Sequence, residues 1–123
     1  MHYGFSRYLQ VAIVRLSRRS ILDHVHQRRL EYFRSFLKTK YPSFQYAVYT
    51  DHIVVLMGSE EKDLYDVPYF MQNEAIFSEN DLYLCVSSSY EDVFETRTYY
   101  DRAIQTLDQG IALGTGTRVF FSG

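Results

Sequence analysis

The segment Tyr8–Leu16 (YLQVAIVRL) is apolar along both of its alternating faces. One face carries Tyr8, Ala12 and Val14 together with Gln10, and the other carries Leu9, Val11 and Ile13. Successive side chains of a strand point to opposite faces of its sheet, and a strand that is apolar on both faces belongs in the interior of a sheet. The segment therefore predicts a central β-strand, around which the rest of the chain must be arranged.

The other apolar segments predict helices and strands in the order β-α-β-β-α-β-α-β. Helices are predicted at about 20–40, within 67–77 and at about 92–109, and strands at 44–49, 53–57, Leu82–Ser87 and 118–121. The first six elements follow the split βαβ arrangement of ferredoxin-like folds. We therefore expect an α+β fold, an antiparallel-rich sheet with helices packed on one of its faces.

Helix ends and buried stripes follow from local signals. Ser20 and Asp23 resemble a capping box, and Pro42 marks the end of the first helix. Gly110 is predicted to stop the last helix. The residues predicted to be buried are Leu22, Val25, Leu30, Phe33, Phe36 and Leu37 in the first helix, and Tyr100, Ala103, Ile104, Leu107 and Ile111 in the last.

Length and composition indicate one globular domain. The chain has 123 residues, of which 46% are hydrophobic and 23% charged, and this excludes a mostly disordered chain. The longest aliphatic run, residues 53–57, is far shorter than the ~20 residues of a membrane helix, and residues 1–7 carry no signal-peptide pattern. A single cysteine, Cys85, excludes an internal disulfide and a multi-cysteine zinc site. We expect a cytoplasmic protein without membrane contact.

Charge is unevenly distributed along the chain. Residues 1–45 hold nine basic and two acidic residues, whereas residues 46–123 hold four basic and thirteen acidic ones. Such asymmetry predicts either electrostatic complementarity, within one fold or between two copies, or simply two solvated surfaces of opposite sign. The 12 tyrosines and 9 phenylalanines predict a core and an interface built from these two residue types.

The motifs that carry chemistry are few. His24 and His26 lie two residues apart on a helix and point to different faces, so they cannot chelate one metal ion together. The segment 114–116 (GTG) is too short for a dinucleotide fingerprint, and it precedes a strand instead of opening a helix. Cys85 lies in the middle of a strand, where a buried apolar role is expected. We predict no catalytic residue, no metal site and no cofactor.

Five stretches of the chain resemble known domains of one kind. Residues 46–57 resemble the hairpin of GGDEF domains, with Asp51 as the one matching letter in residues 49–53, where the signature would stand. Residues 85–90 (CVSSSY) and 97–110 (RTYYDRAIQTLDQG) are similar to the GGDEF-like domain of the PucR/CdaR family of bacterial transcriptional regulators. The opening segments 3–6 and 9–14 are also similar to the start of that domain, so the resemblance covers nearly the whole chain in element order.

The resemblance implies a degenerate, non-catalytic module that relays a signal within a transcriptional regulator. In the family, this domain lies between an N-terminal sensing region and a C-terminal helix-turn-helix. Residues 1–123 are therefore interpreted as one regulatory domain, excised from a longer regulator or encoded by a truncated gene, with DNA contact belonging to the missing part. We expect a homodimer with a small-molecule or nucleotide effector, and candidate contacts on the basic face of the first helix and the Tyr-rich surface.

The alternative function is a nucleotide-binding sensor with Asp51, Arg28 and Arg29 as ligand-binding residues. In cyclase-like domains, an acid at this hairpin and another from the first strand hold divalent metal ions against a triphosphate. Residues 11–17 contain no acid, so cyclase activity is not expected, and Asp51 can equally be a simple turn residue. A third class, ferredoxin-like RNA binders, carries aromatic residues on its central strands, whereas here those strands are aliphatic.

Overall fold

A computed structural model describes residues 6–16, 24–40, 44–49, 52–71 and 82–123 of the chain. The strands are β1 (Tyr8–Leu16), β2 (Gln45–Val48), β3 (His52–Ser59), β4 (Leu82–Ser87) and β5 (Val119–Ser122). The helices are α1 (His24–Lys40), α2 (Val67–Met71) and α3 (Thr96–Leu113), and a 3₁₀ turn, Val93–Glu95, precedes α3. No helix in the described part of the chain is long and apolar enough to span a membrane.

The five strands form one mostly antiparallel sheet in the order β2-β3-β1-β4-β5. β1 pairs antiparallel with both β3 and β4, and β2 pairs antiparallel with β3 as a hairpin. Only β4 and β5 are parallel, and α3 connects them. The predicted central position of β1 is confirmed, and so is a mixed α+β fold with an antiparallel-rich sheet.

Helices cover both faces of the sheet, so the prediction of helices on one face was wrong. Alternate residues of β1 lie in two separate cores: Val14 packs with residues of α1 and α2, whereas Ile13 packs with residues of α3. The reason was already present in the sequence, because a strand with two apolar faces needs cover on both sides. We call the α1–α2 side the first face and the α3 side the second face.

The first face holds the larger core. Phe33 and Leu37 of α1 and Phe70 of α2 are buried against β1, β3 and β4. Phe33 and Leu37 belong to the buried stripe predicted for the first helix, and both are buried as predicted.

Several predicted features lie outside the described residues. They are the side chains of the other stripe residues, Leu22, Val25, Leu30 and Phe36, the cap at Ser20 and Asp23, the stop at Pro42, and residues 72–77 of the second predicted helix.

Among the described residues, α3 is the helix that covers the second face. Ala103 and Leu107 are fully buried against Ile13 and Cys85 of the sheet. The partly buried side chains of Tyr100, Ile104 and Ile111 pack around them, which confirms the predicted stripe of the last helix. α3 packs mainly on β1, β4 and β5, so the described elements cover the β2–β3 half of this face only in part, at residues such as Val54.

Gly110 does not stop α3, contrary to the prediction. The helix continues to Leu113 and ends at Gly114, whose φ of +64° is the left-handed conformation that favours glycine at a helix C-terminus. Gly110 is instead a point of close approach, because a Cβ atom there would lie 2.6 Å from Cζ of Phe120. At its other end the predicted start at residue 92 is one 3₁₀ turn early: Asp92 accepts a hydrogen bond from the Phe94 N–H and caps that turn.

Candidate functional site

An open groove of about 420 Å³ lies on the second face, between the β2–β3 hairpin and the first two turns of α3. It is lined by Ala47, Tyr49, Val54, Thr96, Arg97 and Tyr100. Among the described elements, α3 packs mainly on β1, β4 and β5 and reaches the hairpin through Tyr100, so the groove lies where this side of the hairpin is only partly covered. Aliphatic side chains, tyrosine rings and a guanidinium group together make a surface suited to binding a partly apolar partner.

A set of three rings fixes one wall of the groove. The rings of Tyr49 and His52 are stacked, with centroids 4.9 Å apart and planes 13° from parallel. The Tyr49 N–H also donates to the His52 carbonyl over 2.8 Å, so the two residues close the hairpin. His52 Nε2 shares a hydrogen bond of 3.0 Å with the hydroxyl of Tyr100. This bond joins the hairpin to α3 and holds the Tyr49 ring, which is 54% exposed, at the mouth of the groove.

The pKa of the Tyr100 hydroxyl lies above its ordinary value. Burial raises the pKa of Tyr100, and the neighbouring Tyr49 raises it further, while the positive charges of Arg97 and Arg15 lower it in part. The phenol, which is neutral at neutral pH even without this shift, can therefore stay a hydrogen-bonding partner of the His52 imidazole to higher pH than an exposed tyrosine.

Arg15 and Asp108 form an ion pair beneath α3. Arg15 stands opposite His52 on β3 and opposite Tyr83 on β4, and its Nη1 donates to Oδ1 of Asp108. The Arg15 side chain is only 6% exposed, and its Nε–H is buried with no hydrogen-bond partner among the described residues. The pair joins the basic first part of the chain to the acidic remainder.

The turn before α3 exposes an aromatic ring among acidic residues. Phe94 is 91% exposed, and Glu91, Asp92 and Glu95 around it are exposed as well. Within the part of the chain that the structure describes, the lining of the neighbouring groove includes the cationic Arg97 and no acidic residue. Arg97 contacts Asp101 one turn along α3, with Nε 3.0 Å from Oδ1, in an exposed pair.

Of the three residues predicted to bind a ligand, the structure describes the side chain of Arg28. Asp51 lies outside the described residues, directly before His52. Arg28 lies on α1 with an exposed side chain, on the opposite side of the sheet from the groove. Arg29 is in the same helix, but its side chain lies outside the described residues. A nucleotide site at these positions stays a prediction.

The groove itself was not predicted from the sequence. Tyr49 and Tyr100 are separated by half the chain, and only the fold places both beside one cavity. The sequence does indicate one contact of this site: Tyr49 and His52 flank a tight hairpin turn, and residues in such positions face each other across the two strands. Within the described ranges, no group of three or more His, Cys, Asp or Glu residues could hold a metal ion.

Cys85 is buried in β4, as predicted, and this leads to a testable pH dependence. Burial raises the pKa of its thiol from 9.0 to about 11, although hydrogen bonds with Ser122 lower it in part. The unfolded thiol ionises near pH 9 while the folded one stays neutral, so the free energy of unfolding should fall as pH rises from 9 to 11.

Two measurements check this prediction. In the wild type, labelling by a disulfide reagent at pH 8 should be much slower than in denaturant, because the folded thiol is neither ionised nor accessible. Between pH 9 and 11, urea denaturation should show a smaller loss of stability in Cys85→Ala than in the wild type, since the tyrosines titrate in both. Equal pH slopes for the two proteins would contradict a buried, neutral thiol.

Comparison with known proteins adds no relative to this description. No protein-family model, no curated protein and no solved structure matches the chain.

Proposed function

We propose that this chain is a non-catalytic regulatory and interaction domain, similar to the GGDEF-like domain of PucR/CdaR transcriptional regulators. Such a domain works in the cytoplasm as a homodimer, responds to a small-molecule or nucleotide effector and relays the signal to a DNA-binding region. In this proposal the protein acts by binding partners on its surface, and no side chain acts as a catalyst.

The observation that carries the proposal is the environment at the end of β1. Metal-dependent phosphoryl transfer needs carboxylates there to neutralise the phosphate charge. The last two residues of β1 are Arg15 and Leu16, and Arg15 is buried in an ion pair with Asp108 of α3. The end of the strand therefore carries a cation that is already paired, in place of the carboxylate that a metal ion would need, which supports a module without cyclase activity.

The strand order supports the resemblance on which the proposal depends. The order β2-β3-β1-β4, antiparallel throughout, is compatible with the ferredoxin-like sheet that the proposal assumes for a GGDEF-like domain. In the present chain, α3 and the parallel strand β5 extend it. The groove beside Tyr49 and the exposed Phe94 supply the binding surfaces that an interaction domain requires.

A thermal-shift panel tests the proposal against nucleotide turnover and nucleotide sensing. GTP, GDP, ATP and cyclic dinucleotides are each added with Mg²⁺ or Mn²⁺, and pyrophosphate release is followed in parallel. A ligand at 100 times its Kd stabilises a protein by about 2.7 kcal/mol, or about 8 °C or more in Tm for a domain of this size. We expect no pyrophosphate release and no metal-dependent shift.

A metal-dependent shift with a guanine nucleotide would overturn this expectation and favour the nucleotide-binding sensor. The variants Asp51→Ala and Arg28→Ala then locate the site, because both should abolish the shift if these side chains hold the phosphates. Tyr32→Ala, which changes another exposed side chain of α1, is the matched control and should leave the shift intact.

A further inference from the structure

The exposed Phe94 supplies an apolar ring, and the groove supplies an open, partly apolar cavity. Phe94 projects from the 3₁₀ turn with 91% of its surface exposed, whereas the groove beside α3 is an open cavity with an apolar floor of Ala47 and Val54. A phenylalanine side chain buries a large apolar area when it enters such a cavity. An aromatic anchor in a pocket is the arrangement that carries most of the energy of many interfaces.

Their charges are complementary. The turn that carries Phe94 is acidic, with Glu91, Asp92 and Glu95 exposed around the ring. Among the described residues, the lining of the groove includes Arg97 and no acidic residue. The contact of Arg97 with Asp101 is exposed, so it contributes little and can rearrange. The groove therefore suits an aromatic residue on an acidic turn, which is what the chain itself presents.

Both features belong to one patch of the molecule. Phe94 precedes the groove-lining residues Thr96 and Arg97 by two and three positions in the chain. In a twofold symmetric dimer the same patch is used on both subunits, so a residue that contacts a groove on its partner has its own groove contacted in return. A ring and a groove side by side in one patch allow two such contacts at once.

We propose that a second copy of this chain inserts its Phe94 into the groove, and receives the Phe94 of the first copy in its own. Each acidic turn then lies against Arg97 of the other subunit, and the groove is filled only in the dimer. This inference depends on the homodimer included in the proposed function and adds the surface and the anchoring residue to it.

Sedimentation equilibrium over a concentration series tests the inference. The wild type should dimerise, and Phe94→Ser should raise the dimer Kd by about 30-fold or more, as expected for an anchoring aromatic residue. The variant should fold normally, since Phe94 is almost fully exposed. Leu113→Ser is the matched control: Leu113 is 76% exposed at the far end of α3, and the change should leave the Kd unchanged.

A charge exchange tests the orientation of the two copies. Arg97→Glu and Glu95→Arg should each weaken the dimer, because each places like charges opposite one another, and the double variant should recover most of the loss. A Phe94→Ser variant that dimerises as tightly as the wild type, or a double variant that stays as weak as the single ones, overturns the proposed interface. A wild type that is monomeric at all concentrations overturns the homodimer too, while the nucleotide panel tests the non-catalytic assignment separately.

Discussion

Asp108→Ala is expected to lower the free energy of unfolding by about 3 kcal/mol, since removing one partner of a buried ion pair leaves an uncompensated charge. Asp108 accepts from Arg15, whose side chain is 6% exposed and enclosed between α3 and the sheet. Without the carboxylate, the guanidinium cannot reach water unless α3 moves. Urea denaturation at neutral pH, with unchanged m-value, measures the loss.

A variant that removes the other partner, Arg15, is the control, because Arg15 is buried whereas Asp108 is partly exposed. Arg15→Met keeps the apolar stem of the side chain and leaves Asp108, which is 44% exposed and can be hydrated. We therefore expect Arg15→Met to cost less than about 1 kcal/mol, and the double variant to be more stable than Asp108→Ala alone. If Arg15→Met proved the more destabilising change, the ion pair would not be what holds Arg15 in place.

Gln10→Leu is expected to lower the free energy of unfolding by about 3 kcal/mol, although leucine is apolar and the site is buried. The Gln10 Nε2 group donates to the carbonyls of Ser87 and Tyr65 over 2.8 and 3.0 Å, and its Oε1 accepts from the Tyr65 N–H over 3.0 Å. Leucine leaves these three backbone groups without their partner, and each such buried group costs about 1–3 kcal/mol. Thermal or urea unfolding measures the loss.

Gln10→Glu separates lost hydrogen bonds from altered packing, because glutamate has nearly the same shape as glutamine. An ionised carboxylate still accepts from the Tyr65 N–H, but it faces two carbonyl oxygens to which it cannot donate. The variant should therefore be less stable than the wild type at pH 8, and the deficit should shrink at pH 5 as the carboxyl gains a proton. A deficit that does not change with pH would indicate that packing, not donation, is what Gln10 provides.

Features set by local pattern were predictable, and features set by distant contacts were not. The bounds of β1 and β4 follow from continuous apolar runs, which need no knowledge of the partner strand. Gly110 and Gly114 both resemble a helix stop in the sequence, and only the ring of Phe120 against Gly110 and the positive φ of Gly114 decide between them. In the same way, Gln10 was recognised as a polar residue on an apolar face, but its partners lie 55 and 77 residues away.

The candidate site was harder to predict than the fold. Tyr49, His52 and Tyr100 become neighbours only when the hairpin and α3 are placed on the same face of the sheet. If all helices lay on one face of the sheet, as predicted, there would be no groove between the hairpin and α3. The two apolar faces of β1 indicate instead that helices lie on both sides of the sheet, with α3 opposite α1.

The central position of β1 has a consequence for synthesis of the chain. Both partners of β1, the strands β3 and β4, follow it in the chain and are translated in that order. Until β3 is made, the apolar segment of β1 has both hydrogen-bonding edges open, and the edge that pairs with β4 stays open until residues 82–87 are made. An open edge is the state in which nascent strands aggregate. We expect the folding yield of this protein to depend on chaperones that bind the segment Tyr8–Leu16.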